Sequence, residues 1–210
     1  MAKTKERILE QARILFNKVG YKNVTIRMIA IEMGMSSGNL NYHYKKREDI
    51  LEALYFQMVS VFDERIEKLE TEEMTLYKMR KDIHVSISRM VDYTFFWTDL
   101  FYILSSNTTI KKHFDTVYEH RKNGLEFVFN AFIKTTILKP FEFKFERTNL
   151  IEQMVNFGNT WMYASSLYTY NKLTPTYINT QTSALMAYLY PYLTDLGKDE
   201  FRKLFPKYFD

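Results

Sequence analysis

The chain has 210 residues, of which 46% are hydrophobic and 26% charged, with no cysteine and a net charge of +4. This composition is that of a folded globular protein, and the lack of cysteine excludes disulfides, thiolate metal sites and cysteine nucleophiles. Residues 1–7 lack the apolar segment of a signal peptide, and no apolar run approaches the roughly 18 residues of a membrane span. The sequence therefore predicts a cytoplasmic protein with no membrane segment.

The positive charge is concentrated at one end of the chain. Residues 1–50 contain ten Lys and Arg against five Asp and Glu, whereas the remaining 160 residues contain 19 against 20. A polyanionic partner for the N-terminal region is one interpretation. A solvated basic face is the other.

The first fifty residues have the spacing of several short helices. A first amphipathic helix is predicted over residues 4–19, with Thr4 able to cap its start and Gly20 placed to end it. Thr25 can cap a second, short helix that Gly34 closes. The apolar positions that fit one face of the first helix are Ile8, Ala12, Leu15, Phe16 and Val19.

A third and a fourth helix follow. Ser36 can cap the third helix, and a longer helix is predicted over residues 47–68, with Glu48 and Asp49 in its first turn, where carboxylates favour the helix dipole. Beyond it the pattern stays helical and contains no β-hairpin signal. The predicted later segments are 72–93, 95–105, 108–138, 146–169 and 176–193, with a short helix over 198–205.

The strongest local signal runs from Thr25 to Tyr44. Two helices of about two turns joined by Met33-Gly34-Met35 match a helix-turn-helix, whose second helix enters the major groove of DNA. That helix needs a compact polar face, while Leu40 and Tyr44 would turn inward. The residues that fit the polar face are Ser36, Ser37, Gly38, Asn39, Asn41 and Tyr42.

The same segment resembles the DNA-binding region of the TetR family of regulators over roughly residues 5–50. The resemblance implies an all-α fold with a three-helix DNA-binding domain at 1–48 and a larger helical ligand-binding and dimerisation domain at 49–210. The positions in register are Gly20-Tyr21, Val24-Thr25-Ile26, Ile29-Ala30, Gly34, Ser36, Gly38, Leu40, His43-Tyr44 and Arg47.

The resemblance also implies roles for individual side chains. Thr25 would cap the supporting helix with its amides facing a phosphate, and Arg27 would point to the groove or the backbone. Arg47 would contact the phosphate beside the start of the fourth helix. Bases would be read by Ser36, Ser37, Asn39 and Asn41, and the DNA backbone would be contacted by Tyr42 and Lys46. Since Asn41 stands where the family most often has tyrosine, the operator sequence stays open.

Aromatic residues are abundant in the second domain. Such rings can line an apolar pocket or simply fill a helical core. The resemblance implies an inducer held between helices, and the lack of a charged cluster among the rings favours a small apolar or aromatic ligand, with no cofactor. The candidate ligand-binding residues are Phe96, Trp97, Phe101, Phe114, Tyr118, Phe157 and Trp161.

Segments 146–169 and 176–193 place small residues among large ones, which lets helices approach closely. In the family the last two long helices pair with their symmetry mates in a four-helix bundle. We therefore expect a homodimer that reads two half-sites of a palindromic double-stranded DNA operator, although ordinary packing within one chain would need the same small residues.

Signals for catalysis are thin. His113 and His120 lie about 10 Å apart along a helix, too far to share one metal ion. The sequence predicts a ligand-responsive repressor without enzymatic activity. The alternatives are a helical protein that lacks DNA binding, such as a small-molecule-binding protein or an enzyme, an activator or ligand-independent regulator, and a structural DNA-binding protein without specificity.

Overall fold

The structure is a computed structural model that describes residues 2–66, 73–168 and 173–209. Within these ranges the regular elements are helical, which confirms the predicted all-α class, and no helix there is long and apolar enough to cross a membrane. An isolated antiparallel bridge joins Leu138 and Leu193. The α-helices are α1 Ala2–Val19, α2 Ile26–Glu32, α3 Ser37–His43, α4 Arg47–Ile66, α5 Leu76–Asp92, α6 Thr94–Thr98, α7 Leu100–Ser106, α8 Thr108–Lys134, α9 Lys144–Tyr168, α10 Pro175–Ala187 and α11 Asp195–Leu204.

Several boundaries differ from the predictions. Because α1 already begins at Ala2, Thr4 lies inside its first turn and does not cap it. The predicted helix 95–105 is two helices, since the backbone of Asp99 (φ −102°, ψ 14°) leaves the helical conformation. The helix predicted to end at residue 138 stops at Lys134, and Thr136 adopts a left-handed φ of 57°.

Similar differences occur near the C-terminus. The helix predicted over 176–193 ends at Ala187, and a 3₁₀ turn follows over Tyr190–Tyr192, where Pro191 has no amide hydrogen to continue an α-helix. The predicted ends at residues 67–68, 72 and 169 lie outside the described residues.

The chain divides into two compact units, and this division differs from the domain boundary predicted at residue 48. The first unit comprises Met1–Asp63 and Asp92–Phe114, and the second comprises Glu64–Val91 and Asp115–Asp210. Most of α4 therefore packs with the helix-turn-helix, together with α6, α7 and the start of α8. A functional boundary between 48 and 49 stays a prediction.

The core of the first unit follows the predicted stripe of α1. Ile8, Ala12 and Phe16 are fully buried, as are Ile29 of α2 and Leu40 of α3. The Phe16 ring makes edge contacts with Tyr21, with ring centres 5.2 Å apart. These contacts hold α2 and α3 on a shared apolar base.

The second unit has its own hydrophobic core, to which α5, α8, α9, α10 and α11 all contribute. Thr194 caps α11, and its hydroxyl donates to the carbonyl of Thr136 at 2.6 Å. This fixes the start of α11 against the turn that ends α8. A Cβ added to Gly197 would lie 2.2 Å from the carbonyl oxygen of Ile137, so the close approach requires glycine.

Candidate nucleic-acid interface

Two hydroxyl caps and one glycine define the α2–α3 unit. The Thr25 hydroxyl accepts from the amide of Met28 at 3.3 Å, and the Ser36 hydroxyl accepts from the amide of Asn39 at 3.1 Å. Such caps contribute about 1 kcal/mol each. Gly34 has a φ of 64°, a conformation that side-chain-bearing residues rarely adopt, so glycine fixes the turn between the helices.

The polar side chains of α3 lie in solvent. Leu40 is its only fully buried side chain, whereas the Tyr42 ring is 71% exposed and the Asn39 and Asn41 side chains are exposed. Among the other predicted contact residues, Thr25, Ser36 and Gly38 are exposed and Ser37 is half-buried. A helix of this size with an uncovered polar face has the dimensions and chemistry to enter a major groove.

Exposed cations lie on the segments that flank this helix. Arg27 on α2 and Lys45 and Lys46 before α4 are exposed. The backbone amide of Lys46 donates to the carboxylate of Asp49 at 3.1 Å, which fixes the chain just before α4 begins. These positive side chains can neutralise phosphates of a polyanion that approaches α3.

The side chain of Arg47 contacts groups of the protein itself, and its phosphate contact stays a prediction. Its guanidinium is turned toward the protein's own backbone carbonyls at the end of the 3₁₀ turn Tyr21–Asn23, and Nη2 donates to the Glu48 carboxylate at 3.1 Å. Burial opposes ionisation of Glu48, but hydrogen bonds from its own backbone amide and from Arg47 outweigh it and lower its pKa. The sequence placed a cation here but could not indicate the direction in which it points.

Sequence reasoning missed a polar link between α1 and the α5–α6 junction. The Asn17 amide group donates to the carbonyl of Asp92 at 2.9 Å and accepts from the backbone amide of Phe95 at 3.1 Å. Arg13 donates to the same carbonyl at 2.6 Å. Both side chains flank the apolar stripe of α1, but their spacing alone did not identify partners so distant in sequence.

A second missed link connects α4 to the start of α8. The Tyr55 hydroxyl lies 2.9 Å from Nδ1 of His113, and Tyr55 is 1% exposed. One turn earlier, the Asn107 side chain donates to the Glu52 carboxylate at 2.9 Å and accepts from the amide of Ile110. Asn107 therefore caps α8 and joins it to α4.

The seven predicted ligand-binding aromatics do not fall in one unit. Phe96, Trp97, Phe101 and Phe114 belong to the first unit, and the other three, Tyr118, Phe157 and Trp161, belong to the second. Phe96 lies with its ring centre 5.2 Å from Trp97 and 6.4 Å from Phe114. The Phe101 ring is 87% exposed, which gives no support to a role in enclosing a ligand.

In the second unit, two of the three predicted rings pack against α10 or the residue that follows it. Trp161 is 3% exposed, with its ring centre 6.2 Å from that of Tyr177. Phe157 lies 5.8 Å from Tyr188 by the same measure. Tyr118 is half-buried, with the Lys122 ammonium 4.6 Å from its ring centre.

Two family models match the chain. The model described as bacterial regulatory proteins of the tetR family matches residues 8–54, and the TetR model described as a bacterial transcriptional repressor matches residues 57–201. The chain belongs to the TetR family. The resemblance found over residues 5–50 is thereby confirmed, and this TetR-family protein is a DNA-binding transcriptional regulator with α2 and α3 as its helix-turn-helix.

Solved structures share the fold of this TetR protein. A TetR-family regulator from Marinobacter aquaeolei VT8 is 22% identical, with a TM-score of 0.87 and 98% of each chain covered. A TetR regulator from Haloarcula marismortui ATCC 43049 is 17% identical, with a TM-score of 0.70 and coverage of 92% of this chain and 100% of the other.

A transcriptional regulator from Saccharomonospora viridis, solved in complex with choline, is 19% identical, with a TM-score of 0.67 and coverage of 89% and 97%. The comparison with curated proteins gives no match. Identities at this level show a common fold and do not transfer a ligand or an operator.

Proposed function

We propose that this regulator is a homodimeric, cytoplasmic repressor that binds a palindromic operator and releases it when a small apolar or aromatic molecule binds. The observation that carries the proposal is the exposed polar face of α3, held on a fully buried apolar base. A helix presented in this way can reach base edges, while the exposed cations beside it contact phosphates.

DNA contact by Arg27 is the first step to test. Arg27 is exposed on α2, so we expect Arg27→Ala to weaken binding to a duplex selected by the wild-type protein from a random pool. Losing one phosphate contact should also reduce the slope of log affinity against log salt by roughly 0.9. The measurement is fluorescence anisotropy over a salt series.

Lys203→Ala is the matched control for this experiment. Lys203 is exposed on α11 in the second unit, and its replacement removes the same single positive charge. We expect wild-type affinity and salt slope for this variant. An Arg27→Ala protein that matches the control would remove Arg27 from the interface, and wild-type protein with no salt-dependent binding would contradict DNA binding by this surface.

Dimerisation is supported by the uncovered apolar side chains of α9. Tyr163 and Leu167 are 49% and 57% exposed, and the small residue Ala164 beside them is also exposed. A second copy would remove this apolar surface from water. Analytical ultracentrifugation should give twice the mass of the chain, and Leu167→Glu should shift the protein toward the monomer; a wild-type monomer at micromolar concentration would exclude this assembly.

Ligand binding is supported by the two indole groups. Trp97 and Trp161 are 1% and 3% exposed, and neither buried Nε1 has a hydrogen-bond partner among the described residues. A buried donor without a partner is costly, so an apolar or aromatic molecule carrying an acceptor atom would stabilise either site. The choline-bound regulator from Saccharomonospora viridis is an example of a small molecule held by this fold.

The chain contains only these two tryptophans, one in each unit, so fluorescence can locate the ligand. Trp97→Phe leaves Trp161 as the sole tryptophan, and Trp161→Phe leaves Trp97. We expect a ligand that releases the protein from DNA to change the emission of one single-tryptophan variant at the same concentration. Release of DNA with both emissions unchanged would place the ligand elsewhere.

A further inference from the structure

Arg47 is the first residue of α4, and its side chain reaches the 3₁₀ turn that precedes α2. Its Nη1 lies within hydrogen-bonding distance of three backbone carbonyl oxygens, those of Tyr21 at 3.3 Å, Lys22 at 3.3 Å and Val24 at 3.0 Å. One nitrogen thus faces three carbonyls of the segment that forms the turn and leads into α2.

The rest of the guanidinium also has partners inside the protein. Its central carbon lies 4.3 Å from the centre of the Tyr21 ring, which is 2% exposed, and Nη2 donates to the Glu48 carboxylate at 3.1 Å. The Tyr21 hydroxyl donates to the same carboxylate oxygen at 3.4 Å. The edge of the guanidinium therefore faces backbone carbonyls, its face lies near the Tyr21 ring, and its charge is paired with the Glu48 carboxylate. All of these partners belong to the first unit.

We propose that Arg47 is a positioning residue for DNA binding and does not neutralise a phosphate. It holds the turn that leads directly into Thr25, the cap of α2, and joins that turn to the start of α4. Since α2 supports α3, the position of the recognition helix depends on this contact. The proposal rests on the DNA binding proposed above and assigns to Arg47 a different role from the phosphate contact that the family resemblance implies.

The chemistry of arginine suits this position better than that of lysine. A guanidinium is planar, so it can lie near an aromatic ring while its edge donates several hydrogen bonds in fixed directions. A lysine ammonium is a compact charge that can replace part of the hydrogen bonding but not the flat contact with Tyr21. A phosphate can be bound by either side chain, so the residue type alone does not separate the two roles.

Salt dependence separates the two roles. A side chain that neutralises a phosphate contributes roughly 0.9 to the slope of log affinity against log salt, whereas a residue that only positions α2 and α3 changes affinity without changing that slope. Lys46 is the matched comparison, because it is the preceding residue, carries the same charge and is exposed.

The test compares Arg47→Met, Arg47→Lys and Lys46→Met with the wild type by fluorescence anisotropy, on the duplex that the wild type selects from a random pool. Stoichiometric titration gives the active fraction of each protein, so that loss of folded protein is not counted as loss of affinity. We expect Arg47→Met to weaken binding at least about fivefold at every salt concentration with an unchanged slope. Lys46→Met should lower the slope by roughly 0.9, and Arg47→Lys should recover part of the lost affinity.

A slope for Arg47→Met that falls as far as that of Lys46→Met would overturn the proposal, as would wild-type affinity for Arg47→Met. Hydrogen exchange of the free protein gives a second readout that needs no DNA. We expect faster exchange over residues 22–28 in Arg47→Met and wild-type exchange there in Lys46→Met. Unchanged exchange in Arg47→Met would also overturn the positioning role. If the wild type binds no duplex but Arg47→Met still exchanges faster over residues 22–28, the proposed function is contradicted and the role of Arg47 in holding the turn is not.

Discussion

Replacing Asn17 with alanine removes the side chain that joins α1 to the α5–α6 junction. The side-chain amide of Asn17 supplies a hydrogen-bond partner to each of the two helices that meet there. Its Nδ2 donates to the carbonyl of Asp92, at the end of α5, at 2.9 Å, and its Oδ1 accepts from the amide of Phe95, at the start of α6, at 3.1 Å. Helix ends leave such groups without partners along the helix axis, so a side chain from elsewhere must supply them. We expect the substitution to destabilise the first unit.

The size of the destabilisation depends on which hydrogen-bond partners the Asp92 carbonyl and the Phe95 amide keep after the substitution. The carbonyl of Asp92 keeps the Arg13 guanidinium at 2.6 Å, so loss of the Asn17 donor costs about 0.5 to 1 kcal/mol there. The amide of Phe95, on a residue that is 2% exposed, loses its side-chain acceptor, which costs about 1 to 3 kcal/mol. The expected loss in the free energy of unfolding, which is the sum of the two, is therefore about 1.5 to 4 kcal/mol.

Urea denaturation followed by circular dichroism measures this loss. With an m-value of roughly 2 to 3 kcal/mol/M, the midpoint should fall by roughly 0.5 to 2 M. Lys18→Ala is the control, since Lys18 is the next residue of α1 and is exposed, and it should stay within about 0.5 kcal/mol of the wild type. If Asn17→Ala also stays within that range, the two hydrogen bonds do not hold the junction.

Two further predictions concern backbone packing and pH. Gly197→Ala should destabilise the protein by about 1 to 3 kcal/mol in the same assay, because the new Cβ would lie 2.2 Å from the carbonyl oxygen of Ile137 and the backbone must move. In Gly158→Ala the Cβ meets nothing within 4 Å, so we expect no loss and up to about 1 kcal/mol of gain, and equal losses in both variants would contradict the steric argument. Burial raises the pKa of Tyr21 to about 12, so the folded state favours the neutral phenol, and the resulting stability is present below pH 10 and is lost as the pH rises toward 12. Between pH 9 and pH 11 the wild type should lose roughly 1.4 kcal/mol that Tyr21→Phe does not lose. The exposed-ring control Tyr77→Phe should behave as the wild type, and an equal pH dependence in all three proteins would contradict the assignment.

The sequence was most informative where structure depends on neighbours a few residues away. Thr25 and Ser36 cap the helices predicted for them, and Gly34 adopts the left-handed conformation expected of a glycine at the turn. The spacing of apolar residues in α1 placed Ile8 and Phe16 in the core. These features need only helical periodicity and local hydrogen bonds, and the ordered positions over residues 5–50 were enough to identify the family.

The positions of the aromatic residues could not be predicted from the sequence. Their abundance predicted either a pocket or a core, but periodicity does not distinguish rings that share a face from rings in separate packing units. The structure places Phe96 in the first unit and Trp161 in the second, and leaves Phe101 in solvent. A ligand-binding role for the buried rings stays a prediction.

By itself, then, the sequence determined the helical class, the turn between α2 and α3 and the residue types that α3 presents, because capping, glycine conformation and amphipathic spacing act over one or two helical turns. Only the tertiary structure decided that the charge of Arg47 faces backbone carbonyls 23 to 26 residues away and that Asn17 joins a helix junction 75 to 78 residues away. Such partners are brought together by burial of the shared apolar core, and a side chain's partner at that distance is fixed by how the helices pack.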